Sequence, residues 1–321
     1  MISTQQVQER RLDELLKRQL GPRILAAIAD PQITEIIVNE DGRLWFESYG
    51  SGMREAGLTL APSQVESLIG TVAASLGVVA NVANPIIEGE LPIAAIRFEG
   101  LLPPVARKPC CVMRKPAQVL YTLNDYVRDQ ILSEAHGDVL RSAIDQRRNI
   151  VIAGGTGSGK TTLAGALINE MVERSDPSER YVIIEDTLEI QCRAKNLAQL
   201  HTAEGADMTR LVRTTMRLRP DRIIVGEVRG AEALALLKAW NTGHPGGVTT
   251  IHANSGKAAL TRLSSLVQEA GVPPQPELIA ETINLVAFIV RTTSGRRVTE
   301  LVEVDGHDPH SGFRLRPIEV K

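Results

Sequence analysis

The stretch GGTGSGKT, Gly154 to Thr161, constrains the fold of this 321-residue chain more than any other. It fits the pattern G-x-x-x-x-G-K-[ST] and stands between an apolar, β-branched run, NIVIAG, and a helix-forming run that starts at Thr161. The glycines let the backbone curl so that successive amides point inward, and the helix adds the partial positive charge of its N-terminus. In such a loop Lys160 reaches the β- and γ-phosphates and the Thr161 hydroxyl ligates Mg²⁺. The predicted nucleotide-binding set is Gly154, Gly155, Thr156, Gly157, Ser158, Gly159, Lys160, Thr161 and Thr162, with ATP and Mg²⁺ as cofactors. A plain glycine turn before an ordinary helix is the bland alternative, and the strand and helix on its two sides argue against it.

A phosphate cradle binds; hydrolysis also needs a group that orients or deprotonates water. Ligands of open parallel sheets lie beyond the carboxyl ends of the strands. There RYVIIED delivers Glu185 and Asp186, with Glu189 just beyond, and RIIVGEVRG delivers Glu227. Glu227 and Glu185 are the candidate catalytic acids, one to hold Mg²⁺ through water and the other to polarise the attacking water. EDTLE also reads as a helix cap, so Asp186 stays open between the two roles. GVTTIHA ends a third strand on His252, a candidate sensor that hydrogen-bonds a phosphate or the catalytic carboxylate. A lone histidine is more often structural, and for His244 in TGHPGG that is the commoner reading.

From about residue 130 onward, helices alternate with continuous Ile/Val runs, the pattern of a mainly parallel sheet covered on both faces. The predicted α/β domain spans 131–321 and closes with a hairpin, LVAFIVRTTSGRRVTELVEV, turning at TSGR. Residues 1–115 read as a smaller α+β domain with a hairpin of TEIIVN and RLWFES, and 116–130 as a linker. Aromatic residues are only 3% of the chain, so both cores must be aliphatic. The net charge of -2 supplies no general field for nucleic acid, and no direct sequence-specific nucleic-acid binding is expected. Three scattered cysteines without a CxxC pair suit reduced thiols rather than a zinc site. The polar N-terminus lacks a signal-peptide core. The uncharged run Ser67 to Ile87 is interrupted by Ser75, Asn81, Asn84 and Pro85 and preceded by SQVE, which reads as a capping box. No transmembrane segment is expected, and the predicted location is cytoplasmic.

Four blocks stand in order: GGTGSGKTT, IIEDTLEI, RLRPDRIIVGEVRGAEA and GHPGGVTTIHANS. Together they resemble the secretion-superfamily ATPases, which drive type IV secretion, conjugative DNA transfer, type II secretion and pilus extension or retraction. The resemblance covers most of residues 130 to 260, with Glu227 on the family's Walker B glutamate, Glu185 on its acidic box and His252 on its histidine box. The short N-terminal domain and the missing four-cysteine element place the resemblance in the type IV secretion branch, among the plasmid conjugal-transfer ATPases. It implies a RecA-like ATPase domain in a hexameric ring, peripheral at the inner membrane, with channel components of the apparatus as partners. ATP hydrolysis would power mating-pair formation through nucleotide-driven domain motion.

The resemblance also implies that arginines of the N-terminal domain, or of a neighbour, reach the nucleotide. Arg97 in AIRFEG and Arg114 in VMRKP are the candidates, with Arg107 close by. Arg210, Arg213 and Arg217, at i, i+3 and i+7, would share one helix face, where a solvated stripe is the commoner reading. The competing function is a nucleotide-dependent switch or scaffold of the same apparatus with little turnover. A DNA-handling enzyme is disfavoured by the near-neutral charge and the lack of an aromatic-plus-basic tract. A small-molecule kinase is disfavoured by the two strand-end acids and the histidine, which suit water activation.

Overall fold

Strand runs without alternation need cover on both faces, and the second part of this chain supplies it. The computed structural model describes residues 4–48, 51–91, 93–94, 96–116, 120–293 and 295–319. It divides the chain into two units, Met1–Val119 and Leu120–Lys321.

In the first unit, α1 (Thr4–Ala29) is two helices broken at Gly21, whose φ of 69° is left-handed, and Pro22 then restarts the helix. Strands β1 (Ile33–Val38), β2 (Arg43–Ser48), β3 (Gly52–Thr59), β4 (Ile86–Leu91), β5 (Ile96–Leu101) and β6 (Cys110–Arg114) form an antiparallel sheet in the order β3-β2-β1-β6-β5-β4. The β1–β2 hairpin is the one TEIIVN and RLWFES predict. Helix α2 (Pro62–Ser75) starts ahead of the expected SQVE box. Pro62 opens its first turn, and Gln64 Oε1 accepts from the Ala61 amide at 2.8 Å, so the cap is closed by Gln64 and not by Glu66. The uncharged run beyond it is shared among this helix, a loop and the start of β4. Among the described residues no helix is long and apolar enough to cross a membrane. Leu16, Leu20 and Ile24 of α1 and Leu68 and Ile69 of α2 share one core with Ile36, Ile96 and Phe98 of the sheet. Alternation along β5 and β6 leaves Arg97, Glu99, Val112 and Arg114 exposed on the opposite side.

The second unit contains α3 (Leu123–Arg128), α4 (Glu134–Asp145), β7 (Ile150–Gly154), α5 (Lys160–Arg174), β8 (Arg180–Glu185), β9 (Asn196–His201), α6 (Met208–Thr215) and β10 (Arg222–Val225). It continues with α7 (Glu232–Asn241), β11 (Val248–His252), α8 (Gly256–Gln268), α9 (Pro276–Thr282), β12 (Leu285–Thr292), β13 (Gly295–Asp308) and β14 (Gly312–Pro317). The sheet runs β14-β13-β12-β7-β11-β10-β8-β9, with β12 through β9 all parallel and β13 and β14 antiparallel at one edge. Within the stretch 116–130 read as a linker, residues 117–119 lie outside those described. Leu123 and Tyr126 are buried in the second unit's core, so this part of the stretch is not a connector. Ser294, in the predicted TSGR turn, also lies outside the described residues.

Strand β7 sits inside this sheet and feeds both cores. Ile150 and Ile152 pack with Leu163 and Leu167 of α5, and Val151 and Ala153 with Leu236 and Leu260 of α7 and α8. Fully burying each such aliphatic side chain is worth roughly 1.5–3 kcal/mol, which fixes the strand from which the glycine loop departs. The edge strands β9 and β14 have no signal in the sequence reading, because NLAQLH and GFRLRP are polar and only partly buried.

The HPGG turn before β11 is built by packing. Gly246 has a φ of 87°, Asn149 Oδ1 accepts from the Gly246 and Gly247 amides at 2.7 and 3.1 Å, and His244 Nδ1 donates to the Pro220 carbonyl at 2.9 Å. A Cβ on Gly247 would overlap the Ile223 carbonyl oxygen and Trp240 Nε1, which are themselves hydrogen-bonded at 3.0 Å. Gly247→Ala is expected to destabilise the protein by about 1–3 kcal/mol, read as a lower urea midpoint with an unchanged slope.

Candidate functional site

Parallel pairing brings the last residues of β7 and β11 level, with β12, β10 and β8 in register beside them. Gly154 of β7 pairs with His252 of β11 on one side and with Ile289 of β12 on the other, and Val225 of β10 pairs with Thr249 and with Ile184 of β8. The glycine loop leaves β7 at that level. Gly157 and Gly159 have φ values of 67° and 99°, which side-chain-bearing residues rarely adopt, and Gly159 caps α5. A Cβ on Gly154 would lie 2.5 Å from Ser158 Oγ, so a larger residue there would fill the loop. Ser158 is 2% exposed, and its hydroxyl has no hydrogen-bond partner among the described residues. Gly155, Thr156 and Gly157 are exposed, and Thr161 and Thr162 are half-buried in the first turn of α5.

Lys160 is 7% exposed. Its ammonium donates to the Gly154 and Gly155 carbonyls at 3.2 and 3.0 Å and lies 3.3 Å from His252 Nδ1. The same ammonium is 3.4 Å from Nε2 of that ring, and Nε2 is 2.9 Å from Glu227 Oε1. Arg229 donates to Glu227 Oε2 at 2.8 Å and to Asp186 Oδ2 at 3.3 Å. These contacts form a line of alternating character: ammonium, imidazole, carboxylate, guanidinium, carboxylate. A neutral His252 can accept from the Lys160 ammonium, whereas its 2.9 Å approach to Glu227 Oε1 is a contact without hydrogen-bond geometry, that oxygen having no hydrogen-bond partner among the described residues. Partial burial, and then the Lys160 charge, hold its pKa below the ordinary 6.5, against the pull of Glu227.

Glu185 goes elsewhere. It is 4% exposed, and its Oε1 accepts from the Glu189 and Ile190 amides at 3.0 and 2.9 Å, while Oε2 is buried without a hydrogen-bond partner among the described residues. Burial raises its pKa to about 7, opposed by those two amides. A Cβ on Gly226 would lie 3.0 Å from Glu185 Cγ, so the residue before Glu227 must be small for Glu185 to fit behind it. The structure thus brings Glu227, Lys160 and His252 together, and it joins Asp186 to them through Arg229. Glu185 instead holds its own loop. His244 belongs to the HPGG turn.

Arg97 and Arg114 stand directly opposite each other on β5 and β6, with Arg114 Nε 3.6 Å from Glu35 Oε1. Arg210 and Arg213 lie on α6, but the helix ends at Thr215, so Arg217 is beyond the predicted stripe; all three border one pocket with Thr209 and Thr214. Among the described residues no group of three or more His, Cys, Asp or Glu side chains could hold a metal ion. A metal at this loop would therefore depend on Thr161 and on the oxygens of a bound phosphate.

Three residues outside the sequence reading also belong here. Arg229 was signalled only by its place two residues after Glu227. Arg296 packs its stem on the loop: a Cβ on Gly159 would lie 2.8 Å from Arg296 Cδ and 3.1 Å from its Nε. Arg291 Nη1 comes within 4.0 Å of the Cβ position of Gly157. Both arginines come from the β12–β13 hairpin, whose sequence gives no hint that it borders the loop.

Residues 19–307 match the family described as Type II/IV secretion system protein. The conjugal transfer protein TrbB of Rhizobium radiobacter is 51% identical over 297 residues, covering 92% of this chain and 91% of that one. The type IV secretion system protein PtlH of Bordetella pertussis is 31% identical over 313 residues, covering 85% of this chain and 91% of that one. The fold is similar to that of the ATPase DotB of Legionella pneumophila, with a TM-score of 0.62 and 22% identity over 85% of this chain and 77% of that one. The chain belongs to the type II/IV secretion system protein family.

The raised pKa of Glu185 has a thermodynamic signature. The folded carboxyl titrates at about 7 and the unfolded one near its ordinary 4.5, so the native state binds more protons between those values. The stabilisation is complete below pH 4.5 and lost as pH rises through 7. Glu185→Gln keeps an acceptor for the two amides without the charge. It is expected to be more stable than the wild type at pH 8, by on the order of 1–3 kcal/mol, with the difference shrinking towards pH 5; melting curves at both pH values check this.

Proposed function

We propose that this member of the type II/IV secretion system family is a Mg²⁺-dependent ATPase powering a type IV secretion or conjugative transfer apparatus. The observation that carries this reading is the line from Lys160 through His252 to Glu227, laid across the mouth of the glycine loop. The relatives named for conjugal transfer and type IV secretion supply the apparatus. The parallel sheet with its central glycine loop supports a RecA-like domain.

In this reading the loop amides and the N-terminus of α5 receive the β- and γ-phosphates, and Lys160 exchanges the Gly154 and Gly155 carbonyls for phosphate oxygens. The fit is supported by the buried Ser158 hydroxyl, without a hydrogen-bond partner among the described residues, and by a loop that tolerates no Cβ at Gly154. The Thr161 hydroxyl would help hold Mg²⁺, which when bound would neutralise part of the phosphate charge. Glu227 orients a water and takes its proton as the water oxygen bonds the γ-phosphorus. The bond from that phosphorus to the bridging oxygen breaks, leaving ADP and inorganic phosphate. His252 reports the state of the loop: once Lys160 turns to phosphate, the imidazole loses one of its two neighbours and its hold on Glu227 changes. Arg229 keeps Glu227 tied to Asp186 on the next loop.

Charge spread over a transferring phosphoryl group calls for a further cation, and a mobile arginine of this kind is worth about 10³–10⁵ in rate in other NTPases. Arg97 and Arg114, paired across two strands of the first unit, are the residues proposed for it. Supplied by domain motion or by a neighbour in a hexameric ring, they would couple hydrolysis to movement. The ring is proposed to be cytoplasmic and peripheral at the inner membrane, acting on channel components of the apparatus.

Lys160→Ala is expected to lose both ATP binding and hydrolysis. Glu227→Gln should bind ATP as the wild type does, with phosphate release slowed about 10²–10⁴-fold. Phosphate-release assays and equilibrium dialysis check the pair, and wild-type turnover in Glu227→Gln would remove Glu227 from its catalytic role.

A further inference from the structure

The loop has a second neighbour besides the His252 strand. Strand β12 pairs in parallel with β7, and Ile289 stands level with Gly154, the first residue of the loop. Side chains alternate across a strand, so Arg291 projects from the same face as Ile289. That is the α5 face, since Ile289 shares a core with Leu163 and Leu167 of α5. The hairpin returns with Arg296 directly opposite Arg291. Two guanidinium groups therefore stand side by side past the end of the sheet, on the side where the loop turns into α5. Their distances agree: the Arg296 stem lies against Gly159, and Arg291 Nη1 approaches Gly157. The next residue, Arg297, pairs with Val290, which packs on the other core, so Arg297 faces away.

Arginine suits this position because its planar fork can meet two oxygens of one phosphate. The loop itself contributes amides and one ammonium, all near its inner side, whereas a di- or triphosphate carries several negative charges. We infer that Arg291 and Arg296 form a phosphate clamp on the outer side of the glycine loop, binding the nucleotide from the same subunit. This rests on the nucleotide reading above and adds the source of the remaining positive charge. The contribution is to holding the phosphates, in substrate and product alike, so it falls on affinity rather than on the bond-breaking step. It also gives the carboxy-terminal hairpin a role in the site that the motifs between Gly154 and Ser255 do not contain.

The test is calorimetric titration of the full-length protein with ADP and with adenosine, accompanied by KM and kcat for ATP. The double variant Arg291→Ala/Arg296→Ala is expected to bind ADP about 10- to 100-fold more weakly, with adenosine affinity unchanged, KM raised and kcat largely kept. Arg297→Ala, on the opposite face, should match the wild type, and Arg291→Lys/Arg296→Lys should recover part of the lost affinity. Melting curves establish that each variant is folded. Unchanged ADP affinity in a folded double variant, beside a wild type that binds ADP, overturns the clamp alone. An equal loss for adenosine overturns it too, because it assigns the arginines to the base or ribose. A wild type that binds no nucleotide contradicts the nucleotide reading itself, and the clamp falls with it.

Discussion

A buried ammonium has to be met by acceptors, and for Lys160 these include two carbonyls of its own loop. At 7% exposure the charge has little water to stabilise it, so the loop must keep its carbonyls turned in until something more strongly negative arrives. That requirement explains much of the surrounding structure. The loop needs left-handed backbone at Gly157 and Gly159, room at Gly154 and a rigid strand on each side of β7. The flanking strands also carry the polar partners, His252 on one side and the arginine hairpin on the other. The same ammonium, after partial burial, helps hold the pKa of His252 below its ordinary value.

The two acids at the strand ends show how burial divides labour between like residues. Glu227, on the loop after β10, keeps contact with a cation and an imidazole. Glu185, at the end of β8, is enclosed behind Gly226 and spends one oxygen on the amides of its own loop. Desolvation then pushes it towards the neutral form. Through its two amide contacts this carboxyl latches the 186–190 segment. Asp186 is the member of the ED pair that stays exposed and reaches Arg229. The loops after β8 and β10 are thus joined by Arg229 across their open side and by Glu185 beneath.

What the sequence made legible was what is local in the chain. A loop between a strand and a helix is specified by consecutive residues, so Gly154 to Thr161 could be placed with its strand and helix, and the hairpins of β1–β2 and β12–β13 likewise. The strand-end positions of Glu227 and His252 followed from short apolar runs. Their direct contact depends on β10 and β11 being neighbours, and sheet order is not written in any one segment. Arg291 and Arg296 were invisible for that reason: β12 lies beside β7 although the chain between them passes through most of the domain. Position at a strand end does not tell whether a side chain turns to a ligand or into its own loop, and Glu185 takes the amides of its loop. SQVE misled by two residues, since the box is closed by Ala61 and Gln64 rather than by Ser63 and Glu66. The polar edge strand β9 carried no hydrophobic period to read.

The account turns on Lys160 leaving His252 when phosphate enters the loop. The most direct measurement is the ring nitrogen spectrum of ¹⁵N-histidine-labelled protein, with the His252 signals identified by their loss in His252→Gln. The protein would be titrated to saturation with a non-hydrolysable ATP analogue and Mg²⁺. The account predicts a large change in the ring nitrogen signals of His252, where the Lys160 contacts are lost, with the signals of His244 unmoved. His252 ring signals that stay in place at saturating nucleotide would contradict it.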